Sequence, residues 1–223
     1  MTVVLCGSLG ATSEIWDAQA PVLAGRDVVR VDHPGHDGAH PEDVRTIADL
    51  AARVLERADR FSFVGLSLGG AVGMQLALTM PERVEKLVLA CTSARFGEPA
   101  QWQERAALVR ESGLETIVDA VLARWFTATP PEGFREMFLS TDRESYARCC
   151  DALACWDVRE QLGGIESPAL VISGERDPST PPEHGELLAS RIPGARFEVI
   201  PDAAHLANVE RADEFNRLLE EHL

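Results

Sequence analysis

The stretch of sequence that decides the fold is Phe61-Ser62-Phe63-Val64-Gly65-Leu66-Ser67-Leu68-Gly69. Its first four residues predict a buried strand, and the run from Ala71 to Met80 predicts a helix. The five residues between them match G-x-S-x-G, a pattern that places a nucleophilic serine on a sharp turn from strand to helix. The two glycines leave room for the strand and the helix to approach closely. We therefore expect Ser67 to have a strained backbone and a hydroxyl held clear of the sheet, although such short patterns also occur in ordinary glycine-rich turns.

Short apolar runs alternate with helical patterns on both sides of this stretch. Strands are predicted at residues 2–6, 27–31, 61–65, 86–90, 169–172 and 197–200. Helices are predicted between them at residues 13–23, 42–57, 71–80, 182–191 and 210–222. This alternation indicates a mostly parallel sheet with helices on both faces, in which ligands gather at the carboxyl ends of the strands. Ser67 follows one of those ends.

A central segment, residues 95–156, lacks strand patterns. Short helices are predicted there at residues 98–112, 114–125, 132–139 and 142–154. We expect this segment to form a helical cap inserted into a core made of residues 1–94 and 157–223. The cap contains Trp102, Trp125 and Trp156, and those that face the sheet would line an apolar pocket.

Composition excludes several classes of function. The chain has 223 residues, of which 45% are hydrophobic and 26% are charged, as in ordinary globular domains. No apolar stretch approaches the roughly 18 residues of a membrane helix, and the first residues lack the basic region of a signal peptide. The net charge of −15 argues against nucleic acid or an anionic membrane as a partner. We expect a cytoplasmic protein, and the sequence leaves open whether it forms an oligomer.

The cysteines predict neither a disulfide framework nor a zinc site. There are five, an odd number, and no C-x-x-C spacing occurs. Buried free thiols are the expected state of such residues.

Three loops at predicted strand ends carry the residues of a nucleophilic site. A serine hydroxyl needs an adjacent base, and the base needs an orienting group. Ser67, Asp177 and His205 supply these in the order serine, acid, histidine, which is the order found in α/β-hydrolases. His205 is expected to take the Ser67 proton, and Asp177 to hold the imidazole tautomer.

Other acids and histidines are weaker candidates. Glu175 and Asp202 lie near the two loops, but Asp177 is the best placed acid. Three histidines of one loop, His33, His36 and His40, match no helix-borne metal spacing, and we expect no metal there. The two remaining histidines are His184, expected at the surface, and His222, in the terminal helix.

An oxyanion hole requires backbone N–H groups directed at the developing charge. The first is expected at Leu68, the residue after the nucleophile. The second is expected from the loop at residues 7–10, where Leu9 is the first choice and Ser8 the second.

With these residues in place, the chain resembles the α/β-hydrolase superfamily and, within it, the 3-oxoadipate enol-lactonase family. The resemblance covers nearly the whole chain, and the segments outside the serine turn are the more specific ones. These segments are Leu66-Ser67-Leu68-Gly69-Gly70-Ala71-Val72-Gly73, Pro81-Glu82-Arg83-Val84, Cys91-Thr92-Ser93-Ala94-Arg95, Ser8-Leu9-Gly10 with Trp16-Asp17, Arg124-Trp125-Phe126, Cys150-Asp151-Ala152-Leu153 with Trp156-Asp157, and Asp177-Pro178-Ser179-Thr180-Pro181-Pro182-Glu183-His184.

The resemblance implies hydrolysis of a small enol-lactone bearing an acetate arm, in the β-ketoadipate route of aromatic breakdown, without a cofactor. It implies Ser67, Asp177 and His205 as the triad. An anionic substrate in an acidic protein needs a local cation, for which Arg124 with Trp125 beside it, then Arg148, and also Arg95 are the candidates. The chain departs from the family in lacking its N-terminal β-hairpin, so we expect a sheet with fewer edge strands.

Three other functions keep the same residues. A carboxylesterase and a carbon–carbon bond hydrolase would use the same triad on a different substrate. A non-catalytic ligand receptor could share the fold, since a fold does not determine function.

Overall fold

A computed structural model describes residues 2–40 and 42–223, and a sheet of six strands lies at the centre of these residues. The strands are β1 (Thr2–Cys6), β2 (Asp27–Val31), β3 (Phe61–Leu66), β4 (Val84–Ala90), β5 (Ala169–Gly174) and β6 (Arg196–Ile200). All neighbouring strands are parallel, in the order β2-β1-β3-β4-β5-β6. The predicted parallel sheet is confirmed, and the carboxyl ends of its strands lie at one edge.

Burial explains the composition of the strands. Every residue of β3 and β5 is buried, because helices cover both faces of the sheet there. Continuous apolar runs are typical of such strands. The outer strands β2 and β6 are largely exposed or half-buried and carry charged residues.

The helices follow the strands along the chain. They are α1 (Ile47–Leu55), α2 (Leu68–Thr79), α3 (Pro99–Ser112), α4 (Val118–Trp125), α5 (Phe134–Leu139), α6 (Arg143–Ala154), α7 (Pro182–Arg191), α8 (Ala207–Glu210) and α9 (Ala212–His222). Helices α3 to α6 lie between β4 and β5, where the sequence predicts the cap. Its limits, residues 95–156, stay a prediction. Within the described residues, no helix is both long enough and apolar enough to cross a membrane.

Some helix boundaries differ from the predicted ones. Helix α1 begins at Ile47 rather than at residue 42, because Thr46 and Asp49 form a capping box at its N-terminus. The Thr46 hydroxyl accepts the Asp49 N–H at 3.3 Å, and the Asp49 carboxylate accepts the Thr46 N–H at 2.8 Å. The predicted helix at residues 13–23 is a shorter 3₁₀ helix, Ser13–Gln19. The predicted closing helix is interrupted at Arg211, between α8 and α9.

Four of the five cysteines are buried free thiols, as predicted, and the fifth is a free thiol that is exposed. Cys6, Cys91, Cys149 and Cys150 are buried, whereas Cys155 is exposed at the end of α6.

Candidate active site

Ser67 lies on the turn between β3 and α2, and its backbone is strained. Its φ of 57° and ψ of −113° lie outside the regions that residues with a side chain normally adopt. The Ser67 N–H donates to the carbonyl of Ala90 at 2.9 Å, and the Ser67 carbonyl accepts the Thr92 hydroxyl at 2.7 Å. The strained conformation expected from the pentapeptide is therefore present, and it is held by residues at the end of β4.

The two glycines of the pentapeptide allow α2 to begin in contact with the sheet. A Cβ atom at Gly65 would collide with the backbone of Gly69, and a Cβ atom at Gly69 would collide with the carbonyl of Cys6. The Gly69 N–H also donates to the Gly7 carbonyl at 3.0 Å. The start of α2 is thereby tied to the loop that follows β1.

Asp177 and His205 are paired in two neighbouring loops, after β5 and β6. The Nδ1 atom of His205 lies 2.7 Å from Oδ2 of Asp177. The Asp177 carboxylate also accepts the N–H groups of Ser179 at 2.7 Å and Thr180 at 3.1 Å, and the Thr180 hydroxyl at 2.7 Å. A donor at Nδ1 leaves Nε2 of the neutral ring as an acceptor. This is the state that a general base needs.

The surroundings of Asp177 keep it charged. Burial by itself would raise its pKa, but the charge of His205 and the hydrogen bonds from His205 and Thr180 outweigh burial, and the pKa lies below its usual value. The exposed fraction is 2% for Asp177 and 4% for His205, so the negative charge of Asp177 acts in a region that solvent screens little.

The two competing acids, Asp202 and Glu175, have other partners than His205. Asp202 forms an ion pair with Arg176, and its N–H donates to the Glu175 carboxylate at 3.0 Å. Asp202 and Glu175 therefore stabilise the turn after β6, which has a positive φ of 52° at Asp202.

Ser67 and His205 line the same cavity, which has a volume of about 670 Å³ and lies between the sheet edge and the cap. Cap residues form much of the wall. The lining residues are Ser8, Leu9, Ser67, Phe96, Gly97, Gln101, Trp102, Arg105, Val121, Arg124, Trp125, Tyr146, Leu153, Pro178, Ser179, Thr180, His184 and His205. His184 is half-buried in this wall, so the expectation of a surface position was wrong.

The two expected oxyanion donors belong to the start of α2 and to the loop after β1, which the Gly69–Gly7 hydrogen bond ties together. Leu68 is the first residue of α2, and N–H groups in the first turn have no acceptor within their own helix. Leu9 and Ser8 both line the cavity. The next residue, Gly10, has a φ of 84°, and a Cβ atom there would collide with the ring of Phe138 in the cap.

Two buried histidines hold the loop that contains Leu9. The Gly10 N–H donates to Nε2 of His36 at 2.9 Å, and Nδ1 of His36 donates to the Pro34 carbonyl at 3.0 Å. Nε2 of His33 lies 2.9 Å from the Gly7 carbonyl and donates to it. The sequence alone assigned no role to this pair, because no motif links a loop after β2 to a loop after β1.

Burial keeps both rings neutral. Loss of solvent, reinforced by the neighbouring His36, lowers the pKa of His33 to about 3. The same loss of solvent lowers the pKa of His36 to about 4, although hydrogen bonds to Pro34 and His33 oppose it.

The aromatic residue of the predicted substrate site, Trp125, is a buried part of the cavity wall and packs edge-on against Phe134 and Phe138. Its carbonyl accepts the Leu206 N–H at 3.0 Å. The end of α4 is thus bonded directly to the loop that contains His205.

The candidate arginines occupy different places. Arg124 is exposed and lines the cavity. Arg148 lies outside the lining, where its guanidinium pairs with Asp43 and with Glu144. The prediction that Arg148 binds the substrate is therefore corrected. Two carboxylates already neutralise its guanidinium, which leaves little charge for a substrate. Arg95 pairs with Glu98 at 2.8 Å.

Sequence reasoning missed one cation of the cavity, Arg105 on α3. It lines the cavity with Trp102, and its Cζ atom lies 5.2 Å from the centre of the Trp102 ring. The spacing of three residues on a predicted helix was the available signal, because it puts both side chains on one face.

The fold and this site define a hydrolase. The chain matches the alpha/beta hydrolase family over residues 3–218, and it belongs to that family.

Two relatives within this family are similar over nearly their whole length. One is 3-oxoadipate enol-lactonase 2 of Acinetobacter baylyi, with 37% identity over 98% of this chain and 86% of that protein. The other is the crystal structure of the enol-lactonase from Burkholderia xenovorans LB400, with a TM-score of 0.94 and 38% identity over 99% of this chain and 90% of that one. A putative carbamate hydrolase RutD of Rhizobium rhizogenes is 30% identical over 96% of this chain and 89% of its own.

Proposed function

We propose that this protein hydrolyses 3-oxoadipate enol-lactone to 3-oxoadipate, with Ser67 as nucleophile, His205 as general base and Asp177 as the group that orients His205. The observation that carries the proposal is the shared cavity: a strained serine and a histidine paired with a buried carboxylate face the same space. Similarity to two enol-lactonases supports the choice of substrate.

In the first half of the reaction the lactone ring opens. Nε2 of His205 takes the hydroxyl proton as Oγ of Ser67 bonds to the lactone carbonyl carbon. The N–H groups of Leu9 and Leu68 stabilise the resulting oxyanion. Collapse of this intermediate breaks the ring C–O bond, and His205 returns its proton to the leaving enol, which becomes a ketone within the same acyl group.

In the second half a water molecule releases the product. His205 takes a proton from the water, whose oxygen attacks the acyl carbon, and Ser67 leaves with that proton. The products balance as one lactone plus one water giving one 3-oxoadipate. Asp177 stays ionised throughout and stabilises the imidazolium that forms in each half.

The proposed reaction would belong to the β-ketoadipate route of aromatic breakdown, with a small anionic lactone as the substrate. We place this reaction in the cytoplasm. Because the protein has a net charge of −15, long-range repulsion opposes the binding of such a substrate, and binding depends on cations in the cavity.

The test is an assay of purified protein with the enol-lactone, followed by ultraviolet absorbance. Ser67→Ala should lower kcat by several orders of magnitude, since removing a triad nucleophile has that effect. A serine-directed phosphonate should label the wild type and not this variant. Near-normal turnover in folded Ser67→Ala would contradict the mechanism, and a wild type that ignores the lactone would contradict the substrate.

Hydrolysis of a carbamate is the second candidate, because the putative carbamate hydrolase RutD of Rhizobium rhizogenes is 30% identical over 96% of this chain. The same triad would act, so only substrate comparison separates the two. Equal amounts of enzyme assayed on the lactone and on a carbamate give the ratio that decides. The same assay distinguishes a general carboxylesterase or a carbon–carbon bond hydrolase.

A further inference from the structure

Arg105 projects into the cavity from α3 and is held in place before any ligand binds. Trp102 lies one helical turn earlier, and the guanidinium carbon lies 5.2 Å from the centre of its ring. A guanidinium over an indole face gains a cation–π interaction and loses little freedom on binding. Arg105 is half-buried, whereas Arg124, the other arginine of the cavity, is exposed.

The charge of Arg105 is available to a ligand. Among the ion pairs formed within residues 2–40 and 42–223, none includes Arg105. Neighbouring arginines of the cap are neutralised. Arg95 pairs with Glu98, and Arg110 pairs with Glu144 and Asp151. A half-buried cation in an acidic protein therefore faces the cavity without a carboxylate of its own.

A second polar group lies beside this cation. Tyr146 on α6 lines the cavity with 0% of its surface exposed, and within the described residues its hydroxyl donates to no acceptor. Burial raises the pKa of this hydroxyl, and the positive charge of Arg105 opposes the rise. Phe138 packs edge-on against the tyrosine ring, with 5.5 Å between ring centres. A buried hydroxyl that donates to no acceptor is costly, and a ligand that accepts a hydrogen bond from it removes that cost.

We propose that Arg105 and the Tyr146 hydroxyl bind the free carboxylate of the substrate, so that the cavity selects esters and lactones of small dicarboxylic acids. This inference rests on the proposed function for the site at Ser67. One carboxylate oxygen accepts from the guanidinium, and the other accepts from the phenol. The scissile carbonyl then lies beside Ser67 and His205, which line the same cavity. Arg124, exposed to solvent, contributes less because water screens its charge.

The experiment compares two esters of p-nitrophenol that differ in one group. One is the monoester of glutaric acid, which carries a free carboxylate, and the other is the pentanoate, which carries none. The ratio of kcat/KM for the charged ester to kcat/KM for the neutral one reports carboxylate recognition. Arg105→Gln should lower this ratio roughly 10- to 150-fold, the effect of losing a hydrogen bond to a charged group. Tyr146→Phe should lower it roughly two- to tenfold.

Arg143→Gln is the matched control, because Arg143 is an exposed cap arginine at the start of α6, away from the cavity. It should leave the ratio as in the wild type. Arg124→Gln tests the competing cation. A ratio that falls in Arg124→Gln and stays within twofold of the wild type in Arg105→Gln overturns the proposal. If Arg105→Gln does not fold, Tyr146→Phe and Arg105→Lys decide by the same ratio.

The ratio for the two esters and the lactone assay test different proposals, so either proposal can fail without the other. A wild type that ignores the enol-lactone but loses its preference for the charged ester in Arg105→Gln refutes the proposed substrate and supports this carboxylate site. A wild type that hydrolyses the lactone with a ratio insensitive to Arg105 supports the proposed function and refutes the site.

Discussion

Acidification from pH 7 to pH 5 should destabilise this protein through two buried histidines that do not line the cavity. His33 and His36 are buried, with 3% and 0% of their surfaces exposed, and their pKa values are about 3 and about 4. In the unfolded chain both would titrate near the ordinary value of about 6.5. Between that value and pH 4 the unfolded state therefore binds more protons than the folded state, so stability falls as the pH falls.

The magnitude follows from these values. At pH 5 each ring is almost fully protonated when unfolded and largely neutral when folded, which gives a loss of about 2 kcal/mol per histidine relative to neutral pH. Together the pair should lower the free energy of unfolding by about 4 kcal/mol, a large share of the roughly 5–15 kcal/mol typical of a domain. Asp177, whose pKa is lowered, contributes mainly below this window.

Urea unfolding at pH 7 and pH 5 measures the effect. In His36→Gln the difference between the two pH values should shrink by about 2 kcal/mol, because glutamine has no proton to gain. His40→Gln is the control, since His40 is an exposed residue of the same loop. Equal pH dependence in the wild type, His36→Gln and His40→Gln would refute the reasoning.

Three further substitutions test the choice of acid and the turn between β3 and α2. Asp177→Asn should lower kcat on the order of 10⁴-fold by leaving His205 in the wrong tautomer, while Asp202→Asn should change it little; the reverse pattern in the lactone assay would identify Asp202 as the acid. Gly69→Ala should lower the free energy of unfolding by roughly 1–3 kcal/mol, because the added methyl group collides with the carbonyl of Cys6; an unchanged urea midpoint would contradict this.

The sheet could be predicted from the sequence because its strands are short apolar runs with loop residues at each end. β2 has the predicted bounds, and β3 extends one residue beyond the prediction. Helix α1 was predicted too long, because helical periodicity continues before Thr46 and only the capping box shows where the helix begins. Local pattern indicates that an element exists, whereas side-chain hydrogen bonds fix its ends.

Some residues of the candidate site could be predicted from the sequence, and others could not. Ser67, Asp177 and His205 could be predicted from the sequence alone. Each of them follows a predicted strand. The role of Arg105 depends on which face of α3 meets the cavity, and that helix carries charged residues around much of its circumference. The role of His36 depends on contact between two loops distant in sequence.

Backbone hydrogen bonds between α4 and the loop of His205 couple the opening of the cavity to the position of the general base. The N–H of His205 donates to the carbonyl of Arg124 at 3.4 Å, and the N–H of Leu206 donates to that of Trp125 at 3.0 Å. Any swing of α4 away from the sheet must break these bonds or drag the histidine with it. An open molecule would therefore have lost these two bonds or have a displaced base, so a closed α4 and a correctly placed His205 favour each other.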